Sequence, residues 1–557
     1  MKLSTTLIVC SWLLFCKNAF TRNQPWSKYD PSLPRRRNNT RIVIIGAGIS
    51  GLTAAHELTN KHNFTHVRVY EALGRVGGRI ATEELPNPSG PPHYLQLGAE
   101  YVHNLESRIA ELAQQLDVWP TDEELDDLEE QDYGPIIVTE MTNGLTPTEV
   151  KPEYNARFWS MYEQPERYRM EELMSKNSFS LAEPVKEMFR DWELSSPSTQ
   201  SDHRTIRALR ILYHNMLSVE SATDIQQVSI RSYSEHEDEH ATAVPLKSKG
   251  FGAVVDKLKS ELPTNTIRLS SEVQHIQYDQ PNVVTLRLRN GDTVEADHVI
   301  VTVPLGYLKT EHYRMFHPDL PSPKMRAIEN LNFGSIGKVF LFFDRKFWAR
   351  DINAIALTKI DVNERNYVLN PRFYRGQASN LEDIFFLFST DFYGQRYLLA
   401  WIIGDDAVRL MEEASTTDIA DAAVRALQPY FKRVQRPTRV VKSSWKSNNY
   451  FRGSYSSYSP ASDRYNVSFA DMARPITKAR PNMGYTVEGS EEVPVVQFAG
   501  EATSPHYFST VHGAHQTGVR EAQRLADIIC CTSGATGLTL KLSALALALI
   551  FAIQPAL

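Results

Sequence analysis

The sequence predicts an α/β protein in which a nucleotide-binding type of domain is interleaved with a second domain of α+β character. Three observations predict this fold. Near the start, an apolar strand runs into a glycine-rich turn and a helix; near the middle, a hairpin returns into a buried strand; near the end, another buried strand precedes a helix. Strands that alternate with helices in this way are typical of a parallel sheet.

The first stretch, RIVIIGAGISGLTAAHEL, carries the most specific motif of the chain. Gly46, Gly48 and Gly51 follow the strand directly as GxGxxG, and Glu71 ends the next strand, HVRVYEA. The glycines let the backbone turn tightly and approach a pyrophosphate, the helix amino end faces that charge, and the carboxylate accepts hydrogen bonds from ribose hydroxyls. This order predicts a Rossmann-like dinucleotide site; the alternative is a tight turn that only packs a helix.

A second glycine-rich segment, ALGRVGGRI, follows Glu71 immediately. Its glycines, Gly78 among them, supply further backbone donors, and Arg75 and Arg79 supply two guanidinium groups suited to a diphosphate. Because nicotinamide enzymes rarely need a second clamp, this segment favours a flavin as the cofactor.

The middle and last stretches complete the predicted cofactor domain. TIRLSSEVQHIQYDQPNVVTLRLRNGDTVEADHVIVTVP reads as a hairpin with the turn RNGD, and PVVQFAG as a buried strand before the helix HGAHQTGVREAQRLADII. We therefore assign residues 41–105, 250–310 and 441–530 to the cofactor domain. Residues 106–249 and 311–440 are predicted to form the substrate domain, with mixed sheet and helices.

The two ends of the chain predict export. Residues 1–20 carry Lys2 before an apolar stretch and read as a signal peptide, rather than as a first buried helix. Residues 533–557 begin with small residues and end in an apolar run, which is typical of a GPI-anchor signal; a terminal membrane helix is the alternative. The sequons at Asn38, Asn63 and Asn466 fit an exported glycoprotein.

Composition and cysteine use exclude other classes of function. The net charge of -6 and the lack of a basic stripe with interleaved aromatics argue against nucleic-acid binding. Outside the signal segment only the adjacent Cys530 and Cys531 remain, which offer neither a disulfide framework nor metal-ligand spacing. His236 and His240 in SEHEDEH have no matching ligands elsewhere, so we expect a polar loop or a substrate-channel segment and no metal site.

Longer blocks resemble the flavin-containing amine oxidases from about Arg41 to Ile529. The likeness is carried by LGAEYVHN, SWKSNNYFRGSYSSYSP and FAGEATSPHYFSTVHGAHQTGVREAQRL, and it points to the polyamine oxidase branch, spermine oxidase in particular. The resemblance implies bound FAD, an interleaved two-domain fold, and oxidation of an amine to an imine while O2 is reduced to hydrogen peroxide.

The resemblance also implies which residues contact FAD. Glu501 meets the ribityl chain, Val511 directs backbone donors to the flavin ring, and Val273 meets the adenine. Ser454 stands where monoamine oxidases have the cysteine that bonds the flavin, so FAD is expected to be held non-covalently. The full expected set is Gly46, Gly48, Gly51, Glu71, Arg75, Gly78, Arg79, Gly98, Ala99, Glu100, Val273, Trp445, Glu501, Thr510 and Val511.

The segment NFGSIGKVFLFFD places one lysine in an apolar strand. Alternate side chains of a strand share a face, so Lys338 is predicted to point inward with Phe340 and Phe342. From this pattern alone, a lysine whose stem packs while its head reaches solvent is the commoner outcome. The resemblance reverses that reading, because the family's lysine in this strand faces the flavin through a water.

Other catalytic and substrate residues are implied by the resemblance. His103 retains the position of the family's site histidine. Tyr455 matches one aromatic wall of the substrate cage, and Thr510 lies at the opposite wall. With Lys338, His103 and Tyr455 form the expected catalytic set.

A cationic polyamine also calls for carboxylates away from the flavin, to hold a second ammonium. Glu100, Glu235 and Glu237 are the candidates. Glu100 replaces the asparagine of the family block, which leaves the substrate preference open.

The predicted function is oxidation of spermine, spermidine or an acetylated form to an imine, and then to an aldehyde and a shorter amine. One alternative is a secreted L-amino-acid oxidase, for which Arg452 is the formal partner of a substrate carboxylate. Another is a cell-surface protein that binds FAD without turnover.

Overall fold

A computed structural model describes the chain in twelve ranges, and the bounds below refer to these. They are residues 37–86, 92–125, 137–140, 146–163, 180–195, 199–237, 243–348, 354–357, 359–360, 380–390, 397–479 and 492–530.

Strands and helices alternate along the described residues. The strands are β1 (Ile42–Ile45), β2 (Val67–Tyr70), β3 (Thr82–Leu85), β4 (His93–Gln96), β5 (Tyr101–Val102), β6 (Ile137–Glu140), β7 (Thr146–Glu149), β8 (Val244–Pro245), β9 (Ile267–Arg268), β10 (Val273–Gln277), β11 (Val284–Leu288), β12 (Thr293–Ala296), β13 (His298–Val301), β14 (Phe316–His317), β15 (Asn332–Phe333), β16 (Ile336–Phe342), β17 (Ala354–Ala356), β18 (Lys359–Ile360), β19 (Leu387–Thr390), β20 (Tyr397–Ile403), β21 (Arg439–Lys442), β22 (Ser456–Ser457), β23 (Ile476–Ala479) and β24 (Glu492–Phe498). The helices are α1 (Ile49–His56), α2 (Arg108–Gln115), α3 (Pro152–Glu163), α4 (Ala182–Ser195), α5 (Gln200–Ser221), α6 (Arg231–Ser234), α7 (Phe251–Ser260), α8 (Leu305–Met315), α9 (Ser322–Asn330), α10 (Asp405–Glu413), α11 (Thr416–Leu427), α12 (Pro460–Arg464), α13 (Phe469–Ala473) and α14 (Val511–Cys530).

The largest sheet has six strands in the order β23-β24-β13-β1-β2-β9. All neighbours are parallel except β23, which lies antiparallel on β24 at one edge. Its central strands β1 and β13 are buried along their whole length, as expected for a parallel sheet covered on both faces. Helices α1 and α14 contact each other against it. The predicted α/β class with a Rossmann-like sheet is confirmed.

A four-stranded sheet, β12-β11-β10-β14, lies between the first and last parts of the main sheet in sequence. The predicted hairpin is present: β11 and β12 pair antiparallel across a turn in which Gly291 has a φ of +94°. The chain then enters β13 of the main sheet, so the hairpin returns into a buried strand as the pattern predicted.

A five-stranded sheet, β17-β19-β20-β16-β21, holds the apolar strand that carries Lys338. β16 is an interior strand, with β20 and β21 antiparallel on either side. Val339 and Leu341 face a core that includes residues of α10 and α11, whereas Phe340 and Phe342 face the opposite way and pack near β4. Alternation along β16 therefore places Lys338 on the inward face with the two phenylalanines, as predicted.

The segments at the two ends of the chain lie outside the described residues. The predicted signal peptide, residues 1–20, and the predicted anchor signal, residues 533–557, therefore stay predictions. Among the helices of the described ranges, we find none that is both long enough and apolar enough to cross a bilayer.

Candidate active site

The GxGxxG turn forms an open cradle at the carboxyl end of β1. Gly46 has a φ of +106°, and a Cβ there would lie 2.6 Å from the Thr302 hydroxyl oxygen. Helix α1 starts at Ile49 with Gly48 before it, and a Cβ on Gly48 would meet nothing within 4 Å. Open space thus lies in front of unpaired N–H groups at a helix amino end, which is the arrangement that binds a phosphate.

The two glycine-rich loops lie in contact. The N–H of Gly77 donates to the carbonyl of Ala47 over 2.8 Å, and a Cβ on Gly78 would lie 3.2 Å from the Cα of Gly48. The sequence predicted that both loops serve one diphosphate, and the structure brings them together.

Arg75 does not extend across this cradle. Its guanidinium donates to three carbonyls of its own loop, those of Val76, Gly78 and Ile80, over 2.8 to 3.2 Å. It holds the loop in shape, and Arg79 is the guanidinium that reaches another segment of the site.

Glu71 lies beside the first turn, where a ribose-binding acid was predicted. Its carboxylate accepts from the N–H of Ala47 over 2.6 Å and from the N–H of Leu73 over 2.8 Å. Burial raises the pKa of Glu71 above its usual value, while these backbone donors oppose the rise.

Glu501 joins three segments that are distant in sequence. Its carboxylate accepts from the Arg79 guanidinium over 2.9 Å, from the Ser456 hydroxyl over 2.5 Å and from the Ser509 N–H over 3.0 Å. Arg79 also donates to the carbonyl of Ser454 over 2.6 Å. Sequence reasoning named Glu501 and Arg79 but missed Ser456, because nothing in a serine-rich block indicates which hydroxyl meets a distant acid.

A cleft opens at the carboxyl ends of β13 and β24. Val301, Phe498 and Ala499 line it from the strand ends, and Arg79 and Glu501 line it with charge. This is where an open parallel sheet presents its ligand contacts. Sequence reasoning also missed Thr302, just after β13, whose hydroxyl donates to the carbonyl of Ile45 and blocks any side chain at Gly46. The sequence signal that could have identified Thr302 was its position directly after the buried strand β13.

The amino end of α14 contributes the predicted residues Thr510 and Val511. Thr510 is buried; its hydroxyl accepts from the N–H of Gly513 over 3.0 Å and donates to the carbonyl of Tyr507 over 2.8 Å. The Thr510 hydroxyl therefore caps the helix, and α14 begins at Val511 with its first N–H groups beyond it.

Trp445 is fixed against the segment that carries Gly98 and Ala99. Its indole N–H donates to the carbonyl of Leu97 over 3.0 Å, and a Cβ on Gly98 would lie 3.1 Å from its ring. The Glu412 carboxylate accepts the backbone N–H of Trp445 over 2.6 Å. Ala99 in turn donates its N–H to the carbonyl of Arg79 over 3.4 Å, which links this segment to the second glycine loop.

Val273 begins β10 and is buried. Next to it, the Glu272 carboxylate accepts from the Tyr450 hydroxyl over 3.0 Å and from Arg289 over 3.1 Å. These contacts tie the end of the four-stranded sheet to the segment that carries Tyr450.

Lys338 is 4% exposed, and its ammonium is surrounded by acceptors. Nζ lies 3.0 Å from the carbonyl oxygen of Gln96, 2.9 Å from that of Gly98 and 2.5 Å from the Glu100 carboxylate. The ring of Trp401, its partner on β20, has its centroid 4.7 Å from Nζ. The lysine head does not reach solvent, and its charge is balanced by Glu100.

His103 and Tyr455 lie on two different segments. His103 follows β5, which pairs with β8, and is half-buried. Tyr455 donates its hydroxyl to the carbonyl of Val219 on α5, and its own carbonyl accepts the N–H of Gly334 over 3.0 Å. Burial raises the pKa of Tyr455 above its usual value, so the phenol stays protonated.

The other two predicted substrate carboxylates have partners of their own. Glu235 lies 2.5 Å from the Arg231 guanidinium. Glu237 is exposed, lies 3.1 Å from the His506 ring nitrogen, and donates its backbone N–H to the carbonyl of His506 over 2.9 Å. Glu100, Glu235 and Glu237 are thus each paired with a different side chain, and of the three only Glu237 is strongly exposed.

Comparison with protein families matches residues 49–526 to the family described as flavin containing amine oxidoreductase. Among curated proteins, the chain is similar to "Probable polyamine oxidase 5" of Arabidopsis thaliana, 28% identical over 88% of this chain and 99% of that protein. It is 26% identical to "Peroxisomal N(1)-acetyl-spermine/spermidine oxidase" of Bos taurus, over 88% of this chain and 95% of that one. It is also 26% identical to "Lysine-specific histone demethylase 2" of Homo sapiens, over 89% of this chain and 54% of that protein.

Proposed function

Because this chain belongs to the family of flavin containing amine oxidoreductases, we propose that it is a polyamine oxidase. It is an enzyme that depends on FAD and oxidises an amine. The chemistry that FAD would supply is a two-electron oxidation of the carbon next to an amine nitrogen, with O2 as the final electron acceptor. The observation that carries the polyamine proposal is the similarity, over 88% of this chain, to relatives named for polyamine oxidation.

The residues of the site fit FAD. The open cradle at Gly48 and the second loop at Gly78 would hold the diphosphate, and Glu71 would accept from the ribose. Glu501 would accept from the ribityl chain, and the first N–H groups of α14 would face the pyrimidine end of the ring. Ser454 exchanges hydrogen bonds of 2.9 and 3.0 Å with the backbone of Ile336, in keeping with non-covalent FAD.

The substrate would be positioned by the part of the site that carries Tyr455. Tyr455 and Thr510 would wall a narrow slot for the amine, with His103 in contact with the substrate. Apolar walls favour the neutral amine, whose lone pair assists loss of hydride from the neighbouring carbon. The imine product would then be hydrolysed to an aldehyde and a shorter amine, so that this chain's side chains mainly position and desolvate the substrate.

An amino-acid substrate is less favoured, because the arginine it needs is already paired. The Arg452 guanidinium lies 2.8 Å from the Glu311 carboxylate and donates to the carbonyl of Asn449 over 3.0 Å. Pairing a substrate carboxylate there would require breaking that ion pair.

The test is an amine panel on purified, FAD-loaded protein. We expect hydrogen peroxide with spermine, spermidine or N-acetylspermine, an aldehyde and a shorter amine among the products, and anaerobic bleaching of the flavin by the same amines. Activity on leucine alone would replace the polyamine proposal with the amino-acid one. A flavin that every amine leaves oxidised would support the binding protein without turnover.

We further propose that the protein is exported and anchored at the cell surface. The asparagines of the three sequons, Asn38, Asn63 and Asn466, are all exposed, as acceptors of glycans must be. In cells, we expect an endoglycosidase to lower the apparent mass and a phosphatidylinositol-specific phospholipase to release the protein. An apparent mass that the endoglycosidase leaves unchanged would contradict export. A protein that stays on the membrane after phospholipase treatment would favour a membrane helix.

A further inference from the structure

Glu100 stands in the block LGAEYVHN where the resembling family has a neutral side chain. Its carboxylate lies 2.5 Å from Nζ of Lys338, and the two side chains are 14% and 5% exposed. The carbonyl of Glu100 accepts the N–H of Leu246 over 3.2 Å, so the backbone is fixed as well. A buried ammonium and a partly buried carboxylate therefore face each other beside the segment that carries Gly98.

The Lys338 ammonium has three N–H donors, and three protein acceptors surround it. They are the carbonyls of Gln96 and Gly98 and the carboxylate of Glu100, at 3.0, 2.9 and 2.5 Å. With all three engaged, the charged lysine has no donor left for a water molecule. A lysine that orders water toward the cofactor must first give up one of these contacts.

We propose that Glu100 is a positioning residue that accepts the third N–H donor of Lys338. Lys338 is then able to hold a water or pass on a proton only after this contact breaks. The proposal deepens the proposed function and rests on it only in taking FAD as the group that Lys338 serves. Glu100 acts through Lys338, so its removal has no effect of its own once the lysine is gone.

Among the described residues, the groups packed against the Lys338 ammonium include one negative charge, the Glu100 carboxylate. β20 contributes the ring of Trp401, and β21 contributes Ser443, whose hydroxyl accepts the backbone N–H of Lys338 over 2.9 Å. The segment from Gln96 to Glu100 contributes two carbonyls and the carboxylate. In Glu100→Gln the ammonium is buried without a counter-charge and releases its proton at a lower pH.

The first measurement is the rate at which oxygen reoxidises chemically reduced enzyme across the neutral pH range. FAD-loaded protein is reduced anaerobically with dithionite and mixed with aerated buffer; two electrons and two protons then pass to O2 to give hydrogen peroxide. We expect the pH profile of Glu100→Gln to move down by about one unit, following the lost counter-charge. The profile of Glu100→Gln/Lys338→Met should match that of Lys338→Met.

Glu295→Gln is the matched control. It removes a carboxylate from an exposed ion pair, 2.9 Å from Arg41, and should leave the profile where it is. An unmoved profile in Glu100→Gln would overturn the proposal. So would a difference between the double variant and Lys338→Met, since Glu100 would then act without the lysine.

The second measurement needs neither cofactor nor substrate. Thermal unfolding midpoints of the cofactor-free proteins should fall in Glu100→Gln and in Lys338→Met, and the double variant should fall by clearly less than the two losses added. Additive losses would mean that the side chains do not interact. Dithionite, and not an amine, reduces the flavin in the first measurement. A protein that oxidises no polyamine would therefore contradict the proposed function, yet both measurements would still test the role of Glu100.

Discussion

Two lysines are buried to nearly the same extent in different regions of the molecule. Lys338 on β16 is 4% exposed and Lys324 on α9 is 3% exposed. Each donates to two backbone carbonyls, and each lies over an aromatic ring: Trp401 at 4.7 Å and Phe498 at 3.9 Å. They differ in counter-charge, because a carboxylate oxygen of Glu100 lies 2.5 Å from Lys338, whereas no ion pair within the described ranges joins Lys324 to an acid.

The two surroundings imply two roles. The carbonyls that hold Lys324 belong to Asp471 and Met472 in α13, so the lysine acts as a cation at a helix carboxyl end and fastens α13 to α9. Burial lowers the pKa of Lys324 to about 7. Lys338 instead faces a carboxylate oxygen at 2.5 Å in the candidate active site. Burial by itself therefore does not mark a functional lysine, whereas its partners do.

The largest effect expected from this comparison is on turnover. Lys338→Met should slow reoxidation of the flavin by on the order of 10²-fold, the range in which a positioned proton-transfer group contributes. The rate of reoxidation in Lys324→Met should stay within a few-fold of that in the parent enzyme, because Lys324 holds α13 against α9 through the carbonyls that it contacts. Stopped-flow absorbance of the flavin measures both.

The comparison breaks if the two methionine variants reoxidise equally slowly. In that case the loss of either buried lysine would slow reoxidation, and the effect would not be specific to the position of Lys338. Circular dichroism and FAD content of both variants guard against a loss that reflects misfolding.

Sequence alone predicted those features of the two regions that depend on local spacing. The glycine turn before α1, the RNGD hairpin and the inward face of Lys338 all follow from periods of two or from fixed turn chemistry. The partner of Lys338 was not predicted, because Glu100 lies 238 positions away and was assigned to the substrate and to the cofactor. Nothing in the segment PSPKMRAIEN singled out Lys324, since its burial depends on how α13 packs on α9.

The same limit applies around the cofactor cradle. Glu501 and Arg79 were expected at the site from their motifs, yet their direct pairing depends on an approach of segments 422 positions apart. Arg75, predicted as a clamp from its neighbourhood to the glycines, also donates to three carbonyls of its own loop. Motifs locate the residues, and tertiary contacts decide which of them face a ligand.

A smaller effect concerns the pH dependence of stability. Since burial lowers the pKa of Lys324 from 10.5 to about 7, the unfolded chain binds more protons than the folded chain between these two values. The free energy of unfolding contributed by this group therefore rises with pH across that window, by at most about 1.4 kcal/mol per unit. Urea unfolding at neutral and moderately alkaline pH should show this rise in the parent and in Lys338→Met, but not in Lys324→Met.

Parallel pH curves for the parent and Lys324→Met would contradict the lowered pKa of this lysine. They would mean that the ammonium stays charged in the fold, held by Phe498 and the two carbonyls. The contrast between the two lysines would then be one of location only.

The smallest effect concerns the aromatic rings beneath the two ammonium groups. Trp401→Phe weakens the attraction of the ring for Lys338 and removes the bond of 3.2 Å from the indole N–H to Ser389, and should cost about 1 kcal/mol in the free energy of unfolding. Because a carboxylate oxygen of Glu100 lies 2.5 Å from Lys338, part of this cost should disappear in the Lys338→Met background at neutral and alkaline pH alike. Phe498→Leu should couple to Lys324 only below about pH 7, where that lysine is charged. Double-mutant cycles at two pH values measure both couplings, and equal couplings at alkaline pH would show that the two lysines share one charge state.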